Sequence, residues 1–428
     1  MKRREWLTQP TPKFFDGGER DMTTLDHCRA CLAPDPHLFL PLGDHPPANM
    51  FVRPEELGEA QPAFPLNTQV CLKCGLIQVA DQIPADFFRH YLYIPSAAAS
   101  MHSHFEGLAS ALSERAGDGL IVDIGCNDGL LLMACNALGC ATLGVDPAAN
   151  IAEMARDRGV DVHLAYFGPE TAQDLLQSRG QAKVIVTTNT FNHIGDLHDF
   201  MKGVDVLLAD DGTFVLELPW AKDLLDRNEF DTVYQEHLSE FSLLSLVKLG
   251  GFFDMQVTDV TRLWVHGGSM RVFMRRRSQK DVPTSIVRQM LDEELAAGML
   301  DVATYDRFTD RVGTVREDLL AMLGDLKAKG LKIAGYGAPA KGNTLLNYFK
   351  IGPEHLDFLA DRNPLKQDLY SPDMKIPVRS TDAISAEKPD ILLVLAWNFF
   401  DEIKEQQSDF LARGGKFLVP LPEPVLVG

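Results

Sequence analysis

The sequence predicts an α/β protein in three parts: a metal-stapled N-terminal unit, then two doubly wound sheets in succession. Three observations predict it. Two Cys-x-x-Cys pairs, Cys28/Cys31 and Cys71/Cys74, stand near the start. From Gly119 onward, short apolar runs ("LIVDIG", "ATLGVD", "KVIVTTN", "GTFVLELP") are separated, in the earlier part, by helical patterns. A second alternating series ("KIAGYG", "LDFLAD", "DILLVLAW", "KFLVPL") begins near residue 330. Alternation of this kind is the signature of parallel strands with helices on both faces. The expected boundaries are 1–85, 86–278 and 279–428.

The first part is rich in proline and turn residues, and "HPPANMF" and "PEELGEAQPAFPL" read as loops. A helical segment is expected from Pro84 to Ala116, broken near Pro95. The stretch "GSMRVFMRR" reads as a late strand that closes the central sheet. Two long amphipathic helices, "TSIVRQMLDEELAAGML" and "YDRFTDRVGTVREDLLAMLGDLKAKG", connect it to the last unit.

The chain has 428 residues, 45% of them apolar, and a net charge of −19. That charge argues against nucleic acid or an anionic membrane as a partner. No stretch approaches the roughly 20 apolar residues of a membrane span. The basic start "MKRREWLTQPTPKFF" has no apolar h-region, so a cytoplasmic protein is expected, monomeric or weakly self-associating.

Four of the seven cysteines lie in the two pairs. Thiolates at i and i+3 on a tight turn can face one ion, and two such turns complete the tetrahedral shell that Zn²⁺ prefers. Four thiolates leave no open position, so the ion is expected to be structural. Gly75, after Cys74, suits the knuckle. Cys126, Cys135 and Cys140 lack such pairing and read as packing residues.

"IVDIGCNDGLLL" is strand, turn and helix. Asp123 ends the strand, and Gly125 and Gly129 permit close backbone approach to a ligand. Asp146, at the end of the next strand, can accept from ribose hydroxyls. The loop is not the dinucleotide pattern, and it carries no cation for phosphate. An acid before it suits the amino-acid end of S-adenosylmethionine, and Asn127 stands where such loops commonly have a glycine. Asn189 lies in "VTTNTFNHI", the strand and loop expected to pass the methionyl sulfur. A second glycine turn, "GYGAPAKGN", places Lys341 on the first turn of a helix, a diphosphate cradle in form. Asp361, Trp397 and Asn398 close neighbouring strand ends, and Arg271 is a further candidate cation.

In "VYQEHL" a phenol, a carboxylate and an imidazole, Tyr234, Glu236 and His237, fall within four positions beside an apolar run. On its own this reads as a capped loop with a satisfied histidine. Together with CxxC…CxxCG, "YLYIPSAAAS", "DIGCNDG", "NTFNHI", "YQEHLSEFS", "HGGSMR", "GYGAPAKGN" and "LAWN", the chain resembles, over nearly its whole length, the sugar C-methyltransferases that act on nucleotide-linked 4-keto sugars.

The resemblance implies an N-terminal zinc-binding domain, a central class I methyltransferase sheet that binds S-adenosylmethionine, and a C-terminal Rossmann-like domain. A nucleotide-diphosphate sugar would lie between the last two. It implies that His237, His193, Tyr234 and Glu236 surround the sugar, with His237 as base and Tyr93 closing over it. Lys341, Asn343, Tyr336, Arg271, Ser269 and Asn398 are the expected substrate contacts. An O- or N-methyltransferase would use the same donor loop without needing a carbanion.

Overall fold

The computed structural model describes residues 23–83, 96 and 99–428. Tyr91 and Tyr93 of "YLYIPSAAAS", and the expected helix upstream of Ala99, lie outside the described residues.

The central sheet has seven strands. In space they run Met255–Leu263, Ser269–Arg276, Leu208–Pro219, Ala182–Thr188, Leu120–Ile124, Thr142–Asp146 and Val162–Leu164. The five strands from Leu208–Pro219 to Val162–Leu164 are parallel, and Ser269–Arg276 runs antiparallel between its neighbours. In chain order the sheet reads 3-2-1-4-5-7-6, so order reverses between Leu120–Ile124 and Ala182–Thr188. A crevice opens at such a switch point, at the carboxyl ends of the strands. The parallel strands are continuous apolar runs because helices cover both faces.

The C-terminal sheet has six strands in the order Val378–Arg379, Leu359–Ala360, Ile333–Tyr336, Ile391–Val394, Lys416–Val419 and Val425–Val427, the last antiparallel. It too has a switch point, between Ile333–Tyr336 and Ile391–Val394.

The N-terminal unit is more regular than its proline content implied. His37–His45, Phe64–Val70 and Ile77–Val79 form an antiparallel sheet. Its fourth strand, Ser239–Glu240, comes from the central part of the chain and pairs with Ile77–Val79. Pro41 and Pro65 are tolerated because the ladder between His37–His45 and Phe64–Val70 is interrupted beside them.

These units share cores. One cluster joins Phe39, Leu66 and Ile77 of the first unit, Leu225 and Phe230 of the central one, the helix Val302–Ala328 through Phe308 and Leu319, and Leu345 and Leu393 of the last. Cys28, Cys71 and Cys74 belong to the core beneath the central sheet. Among the described residues, no helix is long and apolar enough to cross a membrane.

Candidate active site

The strand Leu120–Ile124 turns through Gly125–Gly129 into the helix Leu130–Ala137. Over this turn lies a cleft lined by Asp123, Gly125, Asn127, Asp146, Asn189 and His193, with Phe105, Leu130, Ile151 and Phe200 among its apolar walls. Asn127 and Asn189 both adopt left-handed backbone, at φ 49° and 51°. Asparagine tolerates that region better than most side chains, which accounts for Asn127 where a glycine is common.

Gly125 and Gly129 serve the protein itself. At Gly125 (φ +76°) a Cβ would meet Thr190 Oγ1 at 2.1 Å. At Gly129 (φ +78°) it would meet Val160 Cγ2 at 2.8 Å, and Gly129 does not line the cleft.

Asp146 is already braced. Its two oxygens accept from the amides of Asn127 (3.0 Å) and Ala148 (2.9 Å), so it holds the glycine turn as well as facing the cleft. Asp123 is different. It is buried, its Oδ1 has no hydrogen-bond partner among the described residues, and burial followed by repulsion from Asp146 raises its pKa to about 8. An unpaired buried carboxyl is costly, and a ligand ammonium is the complement it fits.

Where the cleft meets the C-terminal unit, three predicted side chains converge. The rings of His193 and His237 lie edge to face with centroids 4.9 Å apart, and Tyr234 lies 4.1 Å from His237. His237 Nδ1 is 3.0 Å from Glu240 Oε1. Burial, reinforced by the Lys341 charge, pushes the His237 pKa down to about 3, and burial followed by the neighbouring His237 lowers His193 well below its usual value. Both imidazoles are therefore neutral at physiological pH.

Glu236, expected beside the sugar, faces the first unit. Its Oε1 accepts from Asn49 Nδ2 at 2.7 Å, its Oε2 is buried without a partner among the described residues, and burial raises its pKa to about 7. Glu240 takes the orienting position. It stands in the same "YQEHLSE" motif, three residues on, where sequence reading had stopped short of it. Two further residues carried no local signal. Asn49 comes from the first unit, and Lys366 from the last, where burial lowers its pKa and Asp361 and Glu236 oppose that shift.

The predicted substrate contacts divide. Lys341 Nζ lies 4.5 Å above the Trp397 ring, and Trp397 Nε1 donates to Asp231 Oδ2 at 2.8 Å. The groups around Lys341 are the buried carboxyls of Glu229, Asp231 and Glu240, whose pKa values burial raises and the Lys341 charge opposes. Arg271 is not a free cation: its Nε and Nη2 hold Glu217 Oε2 at 2.8 and 2.7 Å. Glu217 is paired on its other oxygen with His104. Ser269 Oγ donates to the Val265 carbonyl, and Asn343, fully buried, donates to the Ala48 carbonyl at 2.7 Å. The Tyr336 hydroxyl donates to Gln406 Oε1 at 3.3 Å. The described partners of Arg271, Ser269, Asn343 and Tyr336 are thus all within the protein. Asn398 stays at the strand end beside Trp397, in the short helical turn Trp397–Phe399. Asp361 repeats the Asp146 arrangement, bracing the second glycine turn through the amides of Ala338 (2.6 Å) and Asn363 (2.7 Å).

The four paired cysteines meet as expected, every sulfur within 4.8 Å of the others. Sulfurs at tetrahedral corners 2.3 Å from Zn²⁺ stand roughly 3.8 Å apart, and Cys28–Cys74 and Cys31–Cys71 are separated by 3.6 and 3.5 Å. The donor set fits zinc.

Comparison with known proteins agrees with this geometry. Residues 28–88 match a zinc binding domain family, 100–258 a methyltransferase domain, and 264–422 the C-methyltransferase C-terminal domain. C-methyltransferase NovU of Streptomyces niveus is 37% identical over 407 residues, spanning 94% of this chain and 97% of that protein. The chain belongs to the C-methyltransferases. Solved structures similar to the enzyme include the CcbJ methyltransferase from Streptomyces caelestis, 12% identical, covering 45% of this chain and 95% of that one with a TM-score of 0.34. Magnesium protoporphyrin IX methyltransferase from Synechocystis is also 12% identical, covering 41% and 79% with a TM-score of 0.32. The central domain of the enzyme is thus a class I methyltransferase sheet, preceded by a zinc-binding domain.

Proposed function

We propose that the enzyme methylates a carbon next to the ketone of a nucleotide-linked 4-keto sugar, with S-adenosylmethionine as donor. One observation carries this reading: His193 lines the donor cleft and its ring stands 4.9 Å from that of His237. A neutral imidazole therefore faces the place where the methyl group arrives.

The donor supplies an electrophilic methyl. Forming a bond from carbon requires that a proton next to the ketone be removed first, leaving an enolate. His237 is the base. When ionised, Glu240 accepts from Nδ1–H and leaves the Nε2 lone pair for the sugar; burial holds its carboxyl well above the usual pKa, and the Lys341 charge opposes that shift in part. Lys341 thus acts at the reacting end of the sugar. His193 or Tyr234 donates to the enolate oxygen, and Glu236, with a pKa raised to about 7, hydrogen-bonds a sugar hydroxyl. The diphosphate lies at the N-terminus of the helix Ala340–Phe349, beside Lys366, whose amine now donates to the Ala338 carbonyl at 2.8 Å.

The test is solvent exchange. With a 4-keto sugar nucleotide and S-adenosylhomocysteine in D₂O, deuterium enters at the carbon that is methylated when the true donor is present. His237→Ala is expected to reduce both exchange and methylation by roughly 10²–10⁴-fold while donor binding persists. Full activity in that variant with loss in His193→Ala moves the base to His193. Full activity in both removes the carbanion mechanism and favours transfer to oxygen or nitrogen.

A further inference from the structure

The segment that bears His237 is held by the metal centre. Just after the histidine, Leu238, Ser239, Glu240 and Ser242 are all buried, and Ser239–Glu240 is the outermost strand of the N-terminal sheet. Both cysteine knuckles touch this stretch. Arg29 stands between Cys28 and Cys31, buried, and its Nη1 donates to the carbonyls of Leu238 (3.1 Å) and Val79 (2.7 Å). The Leu238 carbonyl also accepts from the Val79 amide at 3.1 Å. At the other knuckle, Ser242 Oγ donates to the Cys74 carbonyl at 3.1 Å, and a Cβ on Gly75 would stand 3.0 Å from that same oxygen.

A buried guanidinium normally has a carboxylate partner. Among the described residues, Arg29 makes its side-chain hydrogen bonds only to carbonyls, and its Nε and Nη2 have no hydrogen-bond partner. The charge recorded acting on it is that of Cys28, one of four thiolates that with one divalent ion would carry a net charge of −2. The knuckle geometry in turn fixes the Arg29 backbone, whose amide donates to Gln78 Oε1 at 2.9 Å in the strand beside Ser239–Glu240.

We infer that Arg29 is a positioning residue for the reaction, holding the backbone of the base-bearing segment in register from within the metal knuckle. It touches no reacting atom. It fixes the Leu238 carbonyl, and so the direction in which His237 and its partner Glu240 project. The zinc-binding domain then serves the catalytic geometry as well as the stability of the first unit. The reading rests on His237 as the base for its kinetic part only; the structural part needs no substrate.

Zinc-loaded Arg29→Lys and Arg29→Met decide it. Both are expected to keep the full zinc content and the donor affinity of the wild type. Hydrogen–deuterium exchange of peptides covering residues 235–242 should accelerate, more in Met than in Lys, with the donor loop 123–130 unchanged. Turnover should fall by roughly 10–100-fold, as for other residues behind a metal ligand shell, with the Michaelis constant for the sugar nucleotide unaltered. Wild-type protection of 235–242 in the soluble variants would overturn the inference, whatever the activity. So would faster exchange spread equally over the donor loop, which marks general loosening. Segment-specific loosening with unchanged turnover would keep the positioning role and count against His237 as base.

Discussion

Asp123 is the residue whose charge state the donor would change. In the ligand-free protein it is buried with one oxygen unpaired, and its pKa is raised to about 8. A carboxyl whose folded pKa lies above its unfolded value near 4 is bound more tightly to its proton in the folded state. Its stabilising contribution is thus complete below about pH 4 and is lost as pH rises towards 8. Asp123→Asn should therefore flatten the fall in melting temperature of the ligand-free protein between pH 5 and 8, and the variant should gain on wild type as pH rises. An ammonium beside the carboxylate reverses the preference for the proton. Donor binding at pH 7 should then release up to about one proton, seen by titration calorimetry in buffers of different ionisation enthalpy. Equal heats across buffers for the wild type would remove the ammonium contact. The sequence made Asp123 legible because a strand-end acid before a glycine turn is a local pattern. It could not disclose that Arg271 is consumed by Glu217, a pairing between strands 54 residues apart.

At the scale of elements, the parallel strands were readable because each is a short apolar run with its own turn. The N-terminal sheet was not. Its two longer strands each contain a proline, its third has three residues, and its fourth strand is supplied from residues 239–240. Local periodicity holds no information about a strand whose partner lies so far along the chain. The cysteine knuckles were legible, since two thiolates at i and i+3 state a geometry. Because Cys28, Cys71 and Cys74 are part of the central core, losing the ion would leave buried thiols packed against one another. Cys71→Ser is accordingly expected to abolish zinc binding and to give aggregated protein rather than soluble, inactive enzyme. Metal analysis and size-exclusion chromatography check this, and a soluble, donor-binding Cys71→Ser protein without zinc would contradict it.

At the scale of the whole molecule, the site exists only where three units meet. Asn49 reaches Glu236 from the first, His193 and His237 come from the second, and Lys341, Lys366 and Trp397 from the third. No single stretch of sequence holds that arrangement, which is why the individual residues were foreseen more readily than Lys366 and Asn49 beside them. The joint between the second and third units is polar and specific. Trp397 Nε1 donates to Asp231, which is fully buried, and Asn228 Nδ2 donates to the Pro422 carbonyl at 2.9 Å. Trp397→Phe keeps the ring, and with it a face for Lys341, but removes the donor. Asp231 Oδ1 is already unpaired, so the variant leaves both oxygens of a buried carboxyl without that support. The expected cost is ~1–3 kcal/mol of stability, with the Asp231 pKa raised further. Trp397 and Asp231 do not line the donor cleft, so under the proposed function the Michaelis constant for the sugar nucleotide should rise while the dissociation constant for S-adenosylmethionine holds. Asp231→Asn would accept the same indole hydrogen bond without a buried charge, so it should retain more stability than Trp397→Phe. Thermal melts and paired titrations of donor and sugar nucleotide separate these outcomes. Equal weakening of both ligands in Trp397→Phe would mean that the joint supports the whole fold and not the sugar half of the site.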